Sequence, residues 1–588
     1  MVGMKIGIEI HQRLATKKLF CNCPSLYEEG GKKPDGKIKR GLYVVYSEVG
    51  EIDKAALLEA MKEMMFEYQC FNDSSCLVEM DEEPPHSING DALDVAIEMA
   101  IRMGMEIFDE VQVMRKIVID GSNTAGFQRT ALVAIDGGVE TSKGKVGIET
   151  LCLEEESAGI VRENVFRLDR LGIPLIEIAT APEIKDPEHA KEVAEKLGLM
   201  LRTTGKVMRG IGTIRQDLNV SIEGGARVEI KGAQELNMLP TWIRNEAERQ
   251  KKLIEIIKKL KEKNAFAKLK FEPKDVTDGI RVNGGFIKSA VEKGERVFGI
   301  KLPAHKGILG IELGENRRYG SELSDYAKKA GVKGILHSDE ELEKYGIENV
   351  DEIAKSLECG NEDAFAIVVA EGQRAKSALN YVFERAGMNF IPGETRKALP
   401  NGTTAYMRPL PGKARMYPET DIPPIRIAKR KIEEVKAKMG KGLEEKKAWL
   451  ERVVSKDLAE KMVRSKYYGM FERVVGKGVD AKVAASIIED KWRALRREGL
   501  KIDEGMVEKA LRMYGEKKLA KNGIEEALRM MAKGKSENEV LEKLERIGGK
   551  ELEKIVREEN GDLKKIMQKY GTRVEAEEVM AVIIKSKN

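Results

Sequence analysis

The sequence predicts a multidomain protein of the α/β plus all-α class. At about 150 residues per domain, a chain of 588 residues calls for several units, each large enough to bury its own core. Short β patterns alternate with helical stretches up to about residue 235, and from Lys429 onward the pattern is helical throughout.

In the first part, KIGIEI, KIVID, TALVAI, KVGIETLCL, PLIEIAT and TIRQDLNVSI read as strands, and ALDVAIEMAIRMGM reads as an amphipathic helix. A long charged helix, TWIRNEAERQKKLIEIIKKLKEK, follows. The region from there to about residue 400 starts afresh with strands in GIKLPAHKGILGIEL and AFAIVVA, which suggests an inserted unit. Residues 402–427 are the most proline-dense of the chain and cannot be regular helix; they read as an ordered, extended connection. Beyond them Leu, Val, Ile and Met recur at i, i+3 and i+4, with breaks near Gly499 and at Gly548 and Gly549, which predicts two small all-α modules dividing at about residue 510.

Composition limits the class of function only loosely. The 102 basic and 98 acidic residues nearly cancel, so a nucleic-acid footprint has to be a local patch such as AKRKIEEVKAKMGK or KWRALRREGLK. Six cysteines are too few for a disulfide scaffold. No run reaches the ~18 apolar residues of a membrane span, and MVGMKIGIEIH enters a strand pattern directly. The expectation is a cytoplasmic protein without a membrane partner.

Side chains alternate across a strand, so Ile6, Ile8 and Ile10 lie on one side of KIGIEIH while Gly7, Glu9 and His11 lie on the other. The same sorting groups Arg215, Asp217, Asn219 and Ser221, and then Arg227, Glu229 and Lys231. A three-residue loop at Gly224, Gly225 and Ala226 would set Ser221 opposite Glu229 and Asn219 opposite Lys231. Glu177 stands among Leu175, Ile176 and Ile178, and Glu155 shares a face with Leu151 and Leu153; carboxylates in such settings need a partner or a cation. One imidazole and several carboxylates make a plausible ligand set for Mg²⁺, unless one sheet face simply meets water. In DGSNTAGFQR, Ser122, Asn123, Gly126 and Gln128 suit either a phosphate or ribose contact or an ordinary turn. No GxxxxGK[ST] loop occurs. Lys5, Arg215 and Lys231 are further candidates for phosphate contacts. Cys21, Cys23, Cys70 and Cys76 are either a structural Zn²⁺ set or plain thiols.

In order along the chain, GIEIHQRL at residue 7, LEEESAG at 153, DRLGIPLIEIATAPEI at 169, IRQDLNVSI at 214, VEIKGAQELN at 228 and RPLPGKARMYPETDIP at 408 resemble the amidotransferase B/E family, which forms glutaminyl-tRNA indirectly. LFCNCPS, CLVEMDEEPPH and DGSNTAGFQRT, with the region 275–400, are similar to its archaeal E branch. The resemblance implies a cradle-like mixed α/β catalytic domain (1–274, returning at 401–428) and an inserted α+β domain resembling that of aspartyl-tRNA synthetase (275–400). It also implies a helical domain (429–510) and a YqeY-like helical tail (511–588). It maps a metal cluster onto His11, Glu155 and Glu177, with Glu9, Asp217 and Glu229 nearby; a one-residue alignment shift exchanges Glu155 with Glu154. The family usually shows an LHMEED-like string where this chain has LCLEEE, with Cys152 in place of the histidine. The implied activity is ATP- and Mg²⁺-dependent transamidation of Glu-tRNA(Gln) through a γ-glutamyl phosphate. Ammonia would come from an asparaginase-like amidase of the D type, in a heterotetramer of two D and two E chains. The alternatives are a B-type member of a three-chain complex and a non-catalytic tRNA-binding module.

Overall fold

The computed structural model describes residues 3–27, 31–43, 50, 64–410 and 415–587. The chain divides into two compact units, Met1–Met439 and Gly440–Asn588.

In the first unit, eleven strands among the described residues form one sheet. Ten of them are β1 (Lys5–Arg13), β2 (Val113–Ile117), β3 (Phe127–Thr141), β4 (Gly144–Glu155), β5 (Pro174–Thr180), β6 (Ile214–Ser221), β7 (Val228–Lys231), β8 (Glu394–Ala398), β9 (Thr404–Pro409) and β10 (Met416–Pro418). Their order is β9-β8-β7-β6-β1-β5-β4-β3-β2-β10, and Glu106–Ile107 pairs with β3 outside that path. Pairing along the path is antiparallel except for β7 with β8. That parallel pair needs a long crossover, which the chain between Lys231 and Glu394 provides.

One face of the sheet is closed by helices α1 (Gly90–Arg102) and α2 (Pro187–Thr203). Asn89 caps α1 by accepting the Ala92 N–H at 2.9 Å. Asp186 caps α2 by accepting the His189 N–H at 3.0 Å, with Pro187 at the first helical position. Ile6, Ile8, Ile10, Leu218, Val220, Leu151, Leu153, Ile176 and Ile178 pack beneath these helices with no measurable exposure. The opposite face keeps the polar residues.

The hairpin of β6 and β7 has a different register from the one expected. Asn219 stands opposite Glu229 and Val220 opposite Val228, two residues from the predicted pairing. An even shift preserves which side chains share a face, so the polar grouping survives. The proline-dense return supplies both ends of the sheet, with β9 beside β8 and β10 beside β2; edges are where strands tolerate proline.

A second sheet, of Lys274–Asp275, Arg296–Leu302, Ala364–Ala370 and Leu336–His337, carries its own apolar clusters. The long helix α3 (Leu239–Glu262) joins them to the large sheet: Leu239, Trp242 and Ile243 lie in the first core, and Leu253, Ile256 and Leu260 in the second. Two expected boundaries move. The helix Lys429–Lys438 packs Val435 and Ile432 on the first unit's core, so the helical unit starts at Gly440 rather than at residue 429. Residue 510 falls inside the helix Glu504–Gly515, whose Val507, Ala510 and Leu511 share one core with Phe471 and Leu528.

At the junction of α3, β8 and the inserted helices Tyr319–Ala327 and Gly372–Ala386 lies a fully buried ion network. Arg396 donates to Glu322 at 2.7 and 3.0 Å, and Arg249 donates to Glu322 at 3.1 Å and to Glu246 at 2.8 and 2.9 Å. Glu394 pairs with Arg396, and Arg385 approaches Glu322. Removing one partner strands the others in a medium that cannot solvate them. Glu322→Ala is expected to destabilise the first unit by about 3 to 5 kcal/mol. An unchanged midpoint of the first calorimetric unfolding transition would show that the network is dispensable.

Candidate functional site

Register brings the polar residues of five strands together. His11 of β1 is the cross-strand partner of Glu177 on β5 and of Arg215 on β6, and Glu9 is that of Asp217. Two carboxylate clusters result. In the first, His11, Glu154 and Glu177 offer ligand atoms within 4.8 Å of one another. In the second, Glu9, Asp217 and Glu229 do the same.

The His11 imidazole Nε2 lies 2.9 Å from Glu177 Oε2. Glu154 accepts from the Thr130 hydroxyl at 2.9 Å, the Gln128 amide at 3.2 Å and Lys116 Nζ at 3.2 Å. Lys116 also stands 3.8 Å from Glu177. Burial by itself would raise the Glu177 carboxyl, but Lys116 and the His11 hydrogen bond outweigh it and hold it well below the usual carboxylate range. Burial would lower the His11 imidazole, and the bond to Glu177 raises it instead.

In the second cluster, Lys231 Nζ lies 2.7 Å from both Asp217 and Glu229. Asn219 donates to Glu9 at 2.9 Å, and the Thr395 hydroxyl donates to Glu229 at 2.8 Å. Glu9 is pushed up by burial and then by the charges of Glu177, Glu229 and Asp217. Two acidic clusters compensated by single lysines suit divalent cations that keep waters and phosphates in their shells.

Glu155 is not part of either cluster. Adjacent residues of a strand point to opposite faces, so Glu154 meets His11 while Glu155 turns away, taking the Arg129 N–H at 3.1 Å and its guanidinium at 3.5 Å. Arg129 continues to Glu419 at 2.8 Å, which ties the return segment to the sheet. Cys152 lies beside Glu177 with a thiol raised far above its ordinary value, first by burial and then by the Glu177 and Glu154 charges. It is no nucleophile in this state.

In the loop before β3, Ser122 bonds Asp120 at 2.6 Å and Asn123 accepts the Ala125 N–H at 3.0 Å, so these side chains hold the loop itself. Gly126 accepts the Val118 N–H at 2.8 Å, and Gln128 alone of this group reaches the carboxylate face. Gly121 is required there: its φ is +85°, and a Cβ would lie 2.4 Å from Phe66. Lys5 is exposed at the far end of the polar side of β1.

The cysteine set changes by one member. Cys21, Cys23, Cys76 and Glu79 offer ligand atoms within 4.8 Å, whereas Cys70 is buried against Phe66, Tyr68 and Phe166. Cys21 donates to Glu79 at 2.8 Å, and Lys18 approaches that carboxylate at 3.4 Å. Burial and then the Glu79 charge raise the Cys76 thiol to about 12. Three thiols and one carboxylate are a four-ligand set for a zinc ion, whose charge would reverse that shift. Sequence reasoning missed Glu79, although its C-x-x-E spacing from Cys76 was a signal. It also missed Lys116, which nothing in a strand pattern marks.

No helix among the described residues is long and apolar enough to cross a membrane. Residues 4–433 match the family model described as the GatB/GatE catalytic domain. The E subunit of the glutamyl-tRNA(Gln) amidotransferase of Methanocaldococcus jannaschii is 46% identical over 578 residues, covering 94% of this chain and 91% of that one. The proteins of the same name from Pyrococcus furiosus and Sulfurisphaera tokodaii are 47% and 43% identical, covering 95% and 94% of this chain and 91% of each of theirs.

Two measurements check the ligand sets. Glu154→Gln is expected to weaken Mn²⁺ binding, read by electron paramagnetic resonance, at least about tenfold, while Glu155→Gln leaves it at the parental level; equal effects would return Glu155 to the site. The purified chain should carry zinc that Cys76→Ser loses and Cys70→Ser keeps, as read by elemental analysis.

Proposed function

The chain belongs to the GatB/GatE catalytic-domain family, as one of its glutamyl-tRNA(Gln) amidotransferase E subunits, and from that premise we propose that it converts glutamate carried by tRNA(Gln) into glutamine at the expense of ATP. The observation that carries the reading is the His11, Glu154 and Glu177 cluster next to a second acidic cluster, on the open face of the sheet that the family model covers.

A carboxylate resists a nucleophile because its own charge repels it and oxide is a poor leaving group. Transfer of the γ-phosphoryl group of ATP to a side-chain oxygen of the glutamate gives an acyl phosphate and ADP. Ammonia then attacks the acyl carbon, phosphate departs with the C–O electron pair, and a proton is lost to leave the amide. Positioning and electrostatics supply most of the catalysis in such chemistry. His11, Glu154 and Glu177 would hold Mg²⁺, which supplies positive charge to the phosphate oxygens. Thr130 and Gln128 orient Glu154, and Lys116 balances the charge of the two carboxylates. Arg215 and Lys231 stand where developing phosphate charge would need them.

The chain carries no amidase constellation in its motifs, so ammonia is assigned to an asparaginase-like partner of the D type, in a complex of two D and two E chains. A cytoplasmic setting follows from a tRNA substrate. The tRNA body would be held by the helical unit, where Arg493, Arg496 and Arg497 are exposed beside Tyr467 and Trp492. Truncation at residue 510 is a poor test of that role, because Leu511, Ile524 and Leu528 belong to the core it would cut.

ATP hydrolysis dependent on Glu-tRNA, followed across a Mg²⁺ titration, tests the reading. Glu177→Gln is expected to slow it by roughly 10² to 10⁴, and His11→Ala should shift its Mg²⁺ dependence. Parental rates and metal dependence in both variants would sink the assignment.

A further inference from the structure

The polar face continues beyond the two acidic clusters and changes sign. Arg13 follows His11 by two residues on β1, and Glu156 follows Glu154 by two, its N–H still bonded to Ile173 O at 2.8 Å. The two-residue period therefore keeps both on the side that bears the clusters. Glu156 has no exposure at all. Its Oε2 accepts Arg13 Nε at 2.7 Å and its Oε1 accepts Arg215 Nη2 at 2.8 Å. Arg170 is fixed by donating Nε to Ser157 O at 2.8 Å and Nη2 to Ala158 O at 2.6 Å, and its charge helps to hold the Glu156 carboxyl low. Tyr27 borders the group, with the Arg13 and Arg170 guanidinium carbons 5.3 and 5.9 Å from its ring centroid. The neighbouring Arg167 is neutralised by Asp169 at 2.5 Å.

Two guanidinium groups thus bond one carboxylate, and a third, Arg170, is held beside Tyr27 with one of them. Among the described residues, that leaves a surplus of positive charge beside a face that is otherwise acidic. The buried carboxylate aims Arg13 and Arg215 and has both oxygens taken by them, so it does not serve as a further metal ligand. Arg215 is about one-third exposed and Arg170 is partly exposed, whereas Arg13 is buried behind them. Planar forks held rigidly with their outer edges open match the geometry of phosphate oxygens.

We propose that Arg170, held by the Ser157 and Ala158 carbonyls, and Arg215, set by Glu156 and backed by Arg13, form an anion site for a nucleotide phosphate lying across the His11 cluster. Glu156 and Arg13 are positioning residues. Arg170 and Arg215 touch the ligand. The phosphate belongs either to ATP or to the 3′ end of the aminoacyl-tRNA, and that choice rests on the reading above; the excess charge and its geometry do not.

The test uses the full chain, titrated calorimetrically with Mg·ATP and separately with Glu-tRNA, alongside KM for each in Glu-tRNA-dependent hydrolysis. Arg170→Ala is expected to weaken one ligand by about 10- to 100-fold, the range for losing hydrogen bonds to a charged group. Arg170→Lys, which keeps the charge but loses the fork, should fall between. Glu156→Gln should raise the KM of the same ligand more than it lowers kcat. A loss confined to Mg·ATP assigns the site to ATP phosphates, and one confined to Glu-tRNA assigns it to the RNA backbone. Parental affinity of Arg170→Ala for both ligands, or equal losses with a lowered unfolding midpoint, would overturn the site. A parent chain that binds Mg·ATP without Glu-tRNA-dependent turnover refutes the amidotransferase reading and leaves the anion site standing.

Discussion

Ile6, Ile8 and Ile10 lie on the closed face of the central strand with no exposure, and the chemistry of the open face depends on that burial. A one-residue slip of β1 would put three isoleucines in water and Glu9, His11 and Arg13 in an apolar core. At about 1.5 to 3 kcal/mol for each side chain, the isoleucines alone would cost roughly 5 to 9 kcal/mol, comparable with the net stability of a whole domain. The neighbours β5 and β6 are locked by the same packing, through Ile176, Ile178, Leu218 and Val220. The open face therefore has one register available to it.

A face held so rigidly can carry like charges that a softer structure would let drift apart. Glu154 and Glu177 share Lys116, Asp217 and Glu229 share Lys231, and Glu156 is shared by Arg13 and Arg215. The sign of the charge runs from acidic to basic along β1, from Glu9 to Arg13. Cations are favoured at one end of this face and anions at the other, which is the arrangement a metal-bound phosphate requires.

The inserted unit is tied to this face through β8. Thr395 supports Glu229, while the adjacent Arg396 points the other way into the buried network with Glu322 and Arg249. One strand thus carries a ligand support on one side and the anchor of the inserted helices on the other. The return segment is fixed in the same manner at the opposite edge, where Glu419 receives Arg129 at 2.8 Å and also pairs with Arg115.

The sequence by itself determined which side chains share a face, because strand alternation is a property of the backbone: Glu9 with His11, Asp217 with Asn219, and Glu229 with Lys231 were legible from their spacing. It located the long helix Leu239–Glu262 and the proline-rich return for equally local reasons. Which residues of different strands meet was decided by the tertiary structure alone. The choice of Glu154 over Glu155 depends on which face of β4 the helices cover. The exchange of Cys70 for Glu79 depends on the strand Met65–Cys70, whose alternation puts Cys70 with Phe66 and Tyr68 in an apolar cluster. The hairpin register depends on loop geometry that EGGA leaves open. Lys116 reaches the site only across strands distant in the chain, and Glu156 acquires Arg13 and Arg215 only when the sheet brings their strands side by side.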